Sequence, residues 1–255
     1  MLRATDLLYQ DDHLVLVNKP AGLVVHRSWM ARDVDTTLLE ELAPLVPGQL
    51  MPVHRLDRAT SGIMLLARHS QAASLLGKQL MAHGMDKCYL AVCRGWPRSP
   101  GEILYDLPDE DGNRKQAALT CYHTLAQATV PIAVNKYPTQ RYALVQVWPK
   151  TGRYRQIRRH FHHISHHLIG DTSHGRTEHN YLFRDHFQCE RLLLHAQSLR
   201  FKHPESNADL TVAAPLDATF ERILATLFPD RIAMQPAPVP QSQWPRLRPD
   251  DAHTG

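Results

Sequence analysis

Between positions 53 and 67 the chain reads Val53-His54-Arg55-Leu56-Asp57-Arg58-Ala59-Thr60-Ser61-Gly62-Ile63-Met64-Leu65-Leu66-Ala67, one carboxylate between two arginines and then an apolar run. A carboxylate leaving water is costly unless paired, and Arg55 and Arg58 are spaced to keep Asp57 ionised, the state that a nucleophile or a base requires. The same spacing serves a structural ion pair closing a turn, which is the commoner use of such pairs. Ile63 to Ala67 reads as a buried strand fed by a turn at Thr60-Ser61-Gly62, so Asp57 stands at the edge of a sheet.

A second concentration of chemistry lies between Arg141 and Arg176. Seven cations (Arg141, Lys150, Arg153, Arg155, Arg158, Arg159 and Arg176) face one acid there, Asp171, in a chain whose net charge is only +4. A near-neutral body with one cationic segment suits a phosphate-binding face, although a solvated helix face reads the same way. His160, His162, His163, His166, His167 and His174 crowd the same stretch, and the pairs His162/His166 and His163/His167 have helical spacing. No HExxH or comparable carboxylate motif accompanies them, so no metal site is expected; the bland reading makes them solvated groups or supplements to the arginines on the phosphate-binding face.

The elements that would position these groups follow from periodicity. Leu14 to Val17 and Leu23 to His26 read as a hairpin about the turn at Pro20-Ala21-Gly22, with His26-Arg27-Ser28-Trp29 after it. Helices are expected over Asp35 to Leu45 and Ser70 to His83, and a strand over Lys87 to Arg94 with Lys87, Tyr89 and Ala91 on one face. Pro97 to Gln116 is a polar excursion, and Ala118 to Ala128 and Arg141 to Trp148 are strands joined by the loop from Val130 to Gln140. Ile157, Phe161, Ile164 and Leu168 form a helical stripe that leaves Arg155 and Arg159 on one exposed side and Arg158 beside the core. A strand over Arg191 to Phe201 and a helix over Leu216 to Leu227 complete the expected elements.

With 255 residues and 43% apolar content, the chain reads as one sizeable domain over positions 1–228, followed by a disordered tail from Pro229 to Gly255. Cys88, Cys93, Cys121 and Cys189 lie far apart with no CxxC pair, which favours a reducing, cytoplasmic setting over a disulfide framework. No apolar run approaches the roughly 20 residues of a membrane span, so neither a membrane nor an export signal is expected.

His54-Arg55-Leu56-Asp57 with Thr60-Ser61-Gly62 resembles the catalytic motif of the RluA-type pseudouridine synthases. Three further blocks resemble that family in order and spacing: Val17-Asn18-Lys19-Pro20-Ala21-Gly22, Lys87-Cys88-Tyr89-Leu90-Ala91-Val92, and Lys150-Thr151-Gly152-Arg153 with Gln156-Ile157-Arg158. Val25-His26-Arg27-Ser28-Trp29, the stretch Tyr137 to Tyr142, and Arg158-Arg159-His160 resemble the branch acting on uridine 65 of tRNA. The resemblance implies an α+β fold, a mixed and largely antiparallel sheet with flanking helices and a central catalytic cleft, here without the S4 domain that many relatives carry in front.

It also implies an isomerase that needs no cofactor and no metal and has tRNA as its partner, read here as a monomer. Asp57 would attack C1′ or take the C2′ proton, Arg158 would hold Asp57 charged and aimed, and Tyr89 would stack on the uracil. Arg55 would fill the gap left by the flipped base, while His54, Arg58, Lys87, Arg153, Arg155 and Arg159 would bind RNA. Relatives often have His where Arg155 stands, a change that touches an RNA contact. Two other readings remain open from the residues: the same chemistry on ribosomal RNA, and an RNA-binding module without catalysis.

Overall fold

The computed structural model of the protein describes residues 2–27 and 34–230. Ser28 and Trp29, and the expected tail from residue 231 onward, lie outside the described residues. In chain order the elements are β1 (Leu7–Gln10), β2 (Leu14–Lys19), α1 (Leu38–Leu42), β3 (Met51–Pro52), β4 (Ser61–Ala67), α2 (Ser70–Met81) and β5 (Asp86–Arg94). There follow β6 (Gly101–Leu104), β7 (Leu107–Pro108), β8 (Lys115–Gln116), β9 (Leu119–Val130), β10 (Gln140–Pro149), α3 (Gln156–His163), α4 (Thr177–Phe187), β11 (Leu194–Lys202), β12 (Asp209–Ala213) and α5 (Ala218–Leu227). The chain divides into two compact units, Met1–Lys87 with His195–Asp217, and Cys88–Leu194 with the residues from Ala218 on.

In the first unit the strand order is β1-β2-β4-β11, with β3 beside β4 and β12 beside β11. β4 is buried along its whole length, as its unbroken apolar run requires of a strand covered on both faces. It runs parallel to β11, with Ser61 opposite His195 and Gly62 opposite Ala196. Gly62 has φ +109, and a Cβ there would lie 2.2 Å from the Ala196 carbonyl oxygen, so only glycine permits this approach. The Ser61 hydroxyl donates to His195 Nδ1 (2.8 Å) and the other ring nitrogen donates to the Ala214 carbonyl, joining β4, β11 and the end of β12. Leu14, Leu16, Ile63, Leu65, Ala72, Leu76, Leu199 and Phe201 form the core. The α2 stripe supplies Ala72 and Leu76, and the helix is capped by His69, whose ring accepts from the Ala72 N–H.

Two expectations need correction here. Leu23 to His26 is not a strand, and β2 pairs instead with β1 and β4. The Lys19 ammonium takes the carbonyls of Pro20 and Leu23, which pulls this stretch out of ladder geometry and leaves only a bridge between Val24 and Thr37. The helix expected over Asp35 to Leu45 shortens to α1 because the Thr37 side chain and Glu40 form a capping box that sets the start.

In the second unit the strand order is β5-β10-β9-β6, and β7 and β8 form a small hairpin of their own. β9 and β10 pair from Gln140 opposite Val130 to Pro149 opposite Thr120. Tyr142 and Phe183 pack edge to face at 4.9 Å, and α5 buries Phe220, Ile223 and Leu224. β6 to β8 emerge inside the polar excursion, and α4 and β12 were not foreseen from their weak periodicity. Among the described residues the ladders within each unit are antiparallel apart from β4 with β11, so the mixed, largely antiparallel α+β class holds.

Candidate active site

β2 ends in Lys19, a fully buried lysine whose Nζ donates to the carbonyls of Pro20 (2.8 Å), Leu23 (2.8 Å) and Arg58 (3.3 Å). An ammonium has three protons to place, and burying it without acceptors would cost several kcal/mol, so these carbonyls are part of the site's construction. The Gly22 N–H donates to the Arg58 carbonyl (2.7 Å), and Arg58 Nε donates back to the Gly22 carbonyl (3.0 Å). Gly22 has φ +89, a conformation that favours glycine. On the other flank the Thr60 N–H donates to the Asp57 carbonyl (3.0 Å). The turn carrying Asp57 is therefore tied at both ends, with Asp57 half-buried and Arg55 and Arg58 exposed.

His54 sits beneath this turn. Its Nε2 accepts from the Leu65 N–H (3.2 Å), and its ring also bonds the Arg55 carbonyl. A ring that accepts at one nitrogen and donates at the other is neutral. Burial, with the Lys87 charge adding to it, pulls the His54 pKa down to about 4, and burial lowers that of Lys87 as well. Both ring nitrogens are engaged, one by the Leu65 N–H and the other by the Arg55 carbonyl, which ties the Arg55 backbone to β4.

In the second unit Tyr89 lies on β5 opposite Val147, half-buried between the buried Cys88 and Leu90. The Lys150 to Arg158 block is organised by the Gln156 side chain. Its Oε1 accepts from the Thr151 hydroxyl (2.6 Å) and the Arg153 N–H (3.0 Å), while its Nε2 donates to the Leu119 carbonyl and to Thr120 Oγ1 (both 2.9 Å). With its oxygen occupied by Gln156, the Thr120 hydroxyl donates to His160 Nδ1, and His160 Nε2 donates to the Tyr105 carbonyl. Burial lowers the His160 pKa to about 4.

Arg158 is buried and forks onto Asp171, with Nε to Oδ2 at 2.8 Å and Nη2 to Oδ1 at 2.7 Å. Burial alone would raise the Asp171 pKa; the hydrogen bond and charge of Arg158 outweigh it and leave the carboxyl below its ordinary range. Asp171 is the lone acid of the cationic segment, a signal that was visible but not tied to Arg158. Lys19 and Gln156 carry no signal in the sequence beyond their places in the first and third motifs.

The remaining arginines are less free than a solvated face would leave them. Arg153 Nε donates to the Ala117 carbonyl, and Arg155, at φ +50, reaches Ser173 and lies over the Tyr154 ring. Arg159 Nη1 donates to the carbonyls of Pro108 and Tyr154, which leaves it half-buried and not on an exposed side. α3 stops at His163, so His166 and His167 do not share a helical face with His162 and His163. Their Nδ1–H groups donate instead to the carbonyls of Arg94 and His174. Among the described residues no three His, Cys, Asp or Glu side chains converge as a metal site would need. His54, Arg55, Asp57, Arg58 and Lys87 thus belong to the first unit, and Tyr89, Arg153, Arg155, Arg158 and Arg159 to the second.

A half-buried carboxylate on a clamped turn is suited to attack at carbon or to proton removal, because it is held before the substrate arrives. Residues 13–163 match the RNA pseudouridylate synthase family model. The chain is 41% identical over 230 residues to tRNA pseudouridine synthase C of Vibrio cholerae, covering 86% of this chain and 94% of that protein. It is 43% identical over 229 residues to the protein of that name from Pectobacterium carotovorum, covering 86% of this chain and spanning 61% of that relative's length. The fold is shared with human RNA pseudouridylate synthase domain containing 4, at TM-score 0.67 and 23% identity, over 86% of this chain and 92% of that one. The motifs around Asp57, the sheet that carries them and these relatives together make the chain a member of the RNA pseudouridylate synthase family.

Proposed function

We propose that the protein isomerises uridine to pseudouridine in tRNA, at uridine 65, acting as a cytoplasmic monomer from its catalytic domain at 1–228 without metal or cofactor. The observation that carries the tRNA reading is the 41% identity with a tRNA pseudouridine synthase C over nearly the whole of both chains. No helix among the described residues is long and apolar enough to cross a membrane. In the reaction the N1–C1′ bond breaks, the freed uracil turns, C5 bonds to C1′, the C5 proton leaves and N1 takes a proton. Nothing is oxidised and no water is consumed, so one carboxylate suffices where a hydrolytic glycosidase typically needs two.

Asp57 is the group assigned to C1′ or to the C2′ proton, and the ties through Lys19, Gly22 and Thr60 support that role by holding its backbone still. Arg55, exposed on the same turn, is suited to fill the space of a flipped base. Tyr89 is assigned to the uracil face, and Arg158 to holding the reacting carboxylate. Arg58, Lys87, Arg153, Arg155 and Arg159 are assigned to RNA phosphates.

The test is tritium release from C5 of uridine-labelled tRNA transcript, with a chelator present, comparing the wild type with Asp57→Asn. Release by the wild type alone, with tRNA still bound by the variant, is the expected result. Release from ribosomal RNA fragments but not from tRNA would overturn the tRNA assignment, and equal release by the variant would overturn the role of Asp57.

A further inference from the structure

Trp96 and Tyr137 are 38% and 54% exposed, large apolar surfaces that the fold leaves uncovered. Each carries a cation on its ring: the Arg141 guanidinium lies 4.4 Å from the Trp96 ring centre and the Lys136 ammonium 5.5 Å from that of Tyr137. Both rings belong to one end of the β9–β10 hairpin. The Gly95 N–H donates to the Arg141 carbonyl (2.6 Å) and the Trp96 indole N–H to the Ala128 carbonyl (3.4 Å), fixing Trp96 against the hairpin. The tip is itself ordered, since Val134 and Tyr137 exchange both backbone hydrogen bonds and Gln140 Nε2 donates to the Tyr137 carbonyl (3.0 Å).

Positions 95–100 and 128–141 contain Arg98, Lys136 and Arg141 and no acid. Arg94 pairs with Tyr142 and Tyr89 with Val147, so this end of β5 lies five residues from Tyr89, about 17 Å along the strand.

We infer that this hairpin end is a second RNA-docking surface, at which exposed bases stack on Trp96 and Tyr137 while Arg98, Lys136 and Arg141 meet phosphates. Aromatic rings under cations serve a protein interface as well, but two exposed rings that each carry a cation, on stretches that hold three cations and no acid, complement a polyphosphate. Such a surface adds affinity for the whole RNA without touching the reacting uridine, so it acts on binding and leaves the chemical step alone. The inference rests on the reading of tRNA as substrate.

Its test compares wild type, Trp96→Ala, Arg141→Gln and Lys136→Gln, each checked for an unchanged melting temperature, in binding of tRNA transcript across a salt series and in turnover. We expect Trp96→Ala to weaken binding about tenfold, and each lost cation to flatten the salt dependence by about one unit of slope. KM should rise with binding while kcat at saturating tRNA stays at the wild-type value. Arg141→Gln keeps the test readable if Trp96→Ala does not fold. Variants that match the wild type in affinity and salt slope overturn this inference alone, as does a loss confined to binding of another protein. A wild type that neither binds nor converts tRNA overturns the substrate reading and this inference with it.

Discussion

Lys19 spends its ammonium on the carbonyls of Pro20, Leu23 and Arg58, so a charge at the end of β2 determines where the Asp57 turn sits. Replacing it with methionine preserves length and removes every donor, so the Pro20 and Leu23 carbonyls lose the ammonium and the Arg58 carbonyl keeps only the Gly22 N–H. Lys19→Met is expected to cost about 2–4 kcal/mol in denaturant unfolding, and to lower kcat more than it raises KM because the carboxylate is no longer held. A variant with wild-type stability and turnover would refute the clamp. His54 illustrates the limit of reading residue type alone. Next to Arg55 and Asp57 it reads as one more RNA-binding group, yet its ring nitrogens serve the Leu65 N–H and the Arg55 carbonyl.

Among the elements, the segment between β10 and α3 depends most on a single side chain. Gln156 uses both ends of its amide to join the Thr151–Arg153 turn to β9, and α3 begins at that residue. Gln156→Leu keeps the bulk but leaves the Thr151 O–H and the Arg153 N–H without their acceptor, while the Leu119 carbonyl retains only the Lys150 N–H. We expect a loss of about 3 kcal/mol, read as a lower urea midpoint at unchanged slope. An unchanged midpoint would show that these groups find other partners. The long strands β4, β5, β9 and β10 and the helix α2 were legible within one or two residues because their apolar periodicity survives over many positions. β6, β7, β8 and β12 were not, because short strands carry too few residues to show a period.

For the whole molecule, acid sensitivity follows from histidines buried neutral. Burial lowers the pKa values of His54, His160 and His179 from 6.5 to about 4, with the charges of Lys87 and Arg94 adding at the first and third. His179 accepts from Arg94 Nε and donates to the Tyr142 hydroxyl, so protonation would cost it a partner. The unfolded chain takes up these protons first. Their contribution is therefore fully present above pH 6.5 and is lost as pH falls from 6.5 towards 4. At pH 5 each of the three is worth roughly 1–2 kcal/mol less than at pH 7.5, enough to lower the melting temperature by several degrees. Asp171, held below the ordinary carboxylate range, loses its contribution only at lower pH, outside that window. A melting temperature that is level from pH 7.5 to 5 would refute this account.

The sequence by itself determined the chemistry-bearing motifs, the α+β class and the family, because these rest on local order: residue spacing and the alternation of apolar positions. What only the tertiary structure decided is which partner each polar group takes. Arg158 forks onto Asp171 13 positions away, Lys19 reaches the Arg58 carbonyl 39 away, and Ser61 meets His195 134 away. A buried polar group must be paired by whatever the fold brings beside it. That pairing depends on how strands distant in sequence are brought together, which spacing along the chain does not encode.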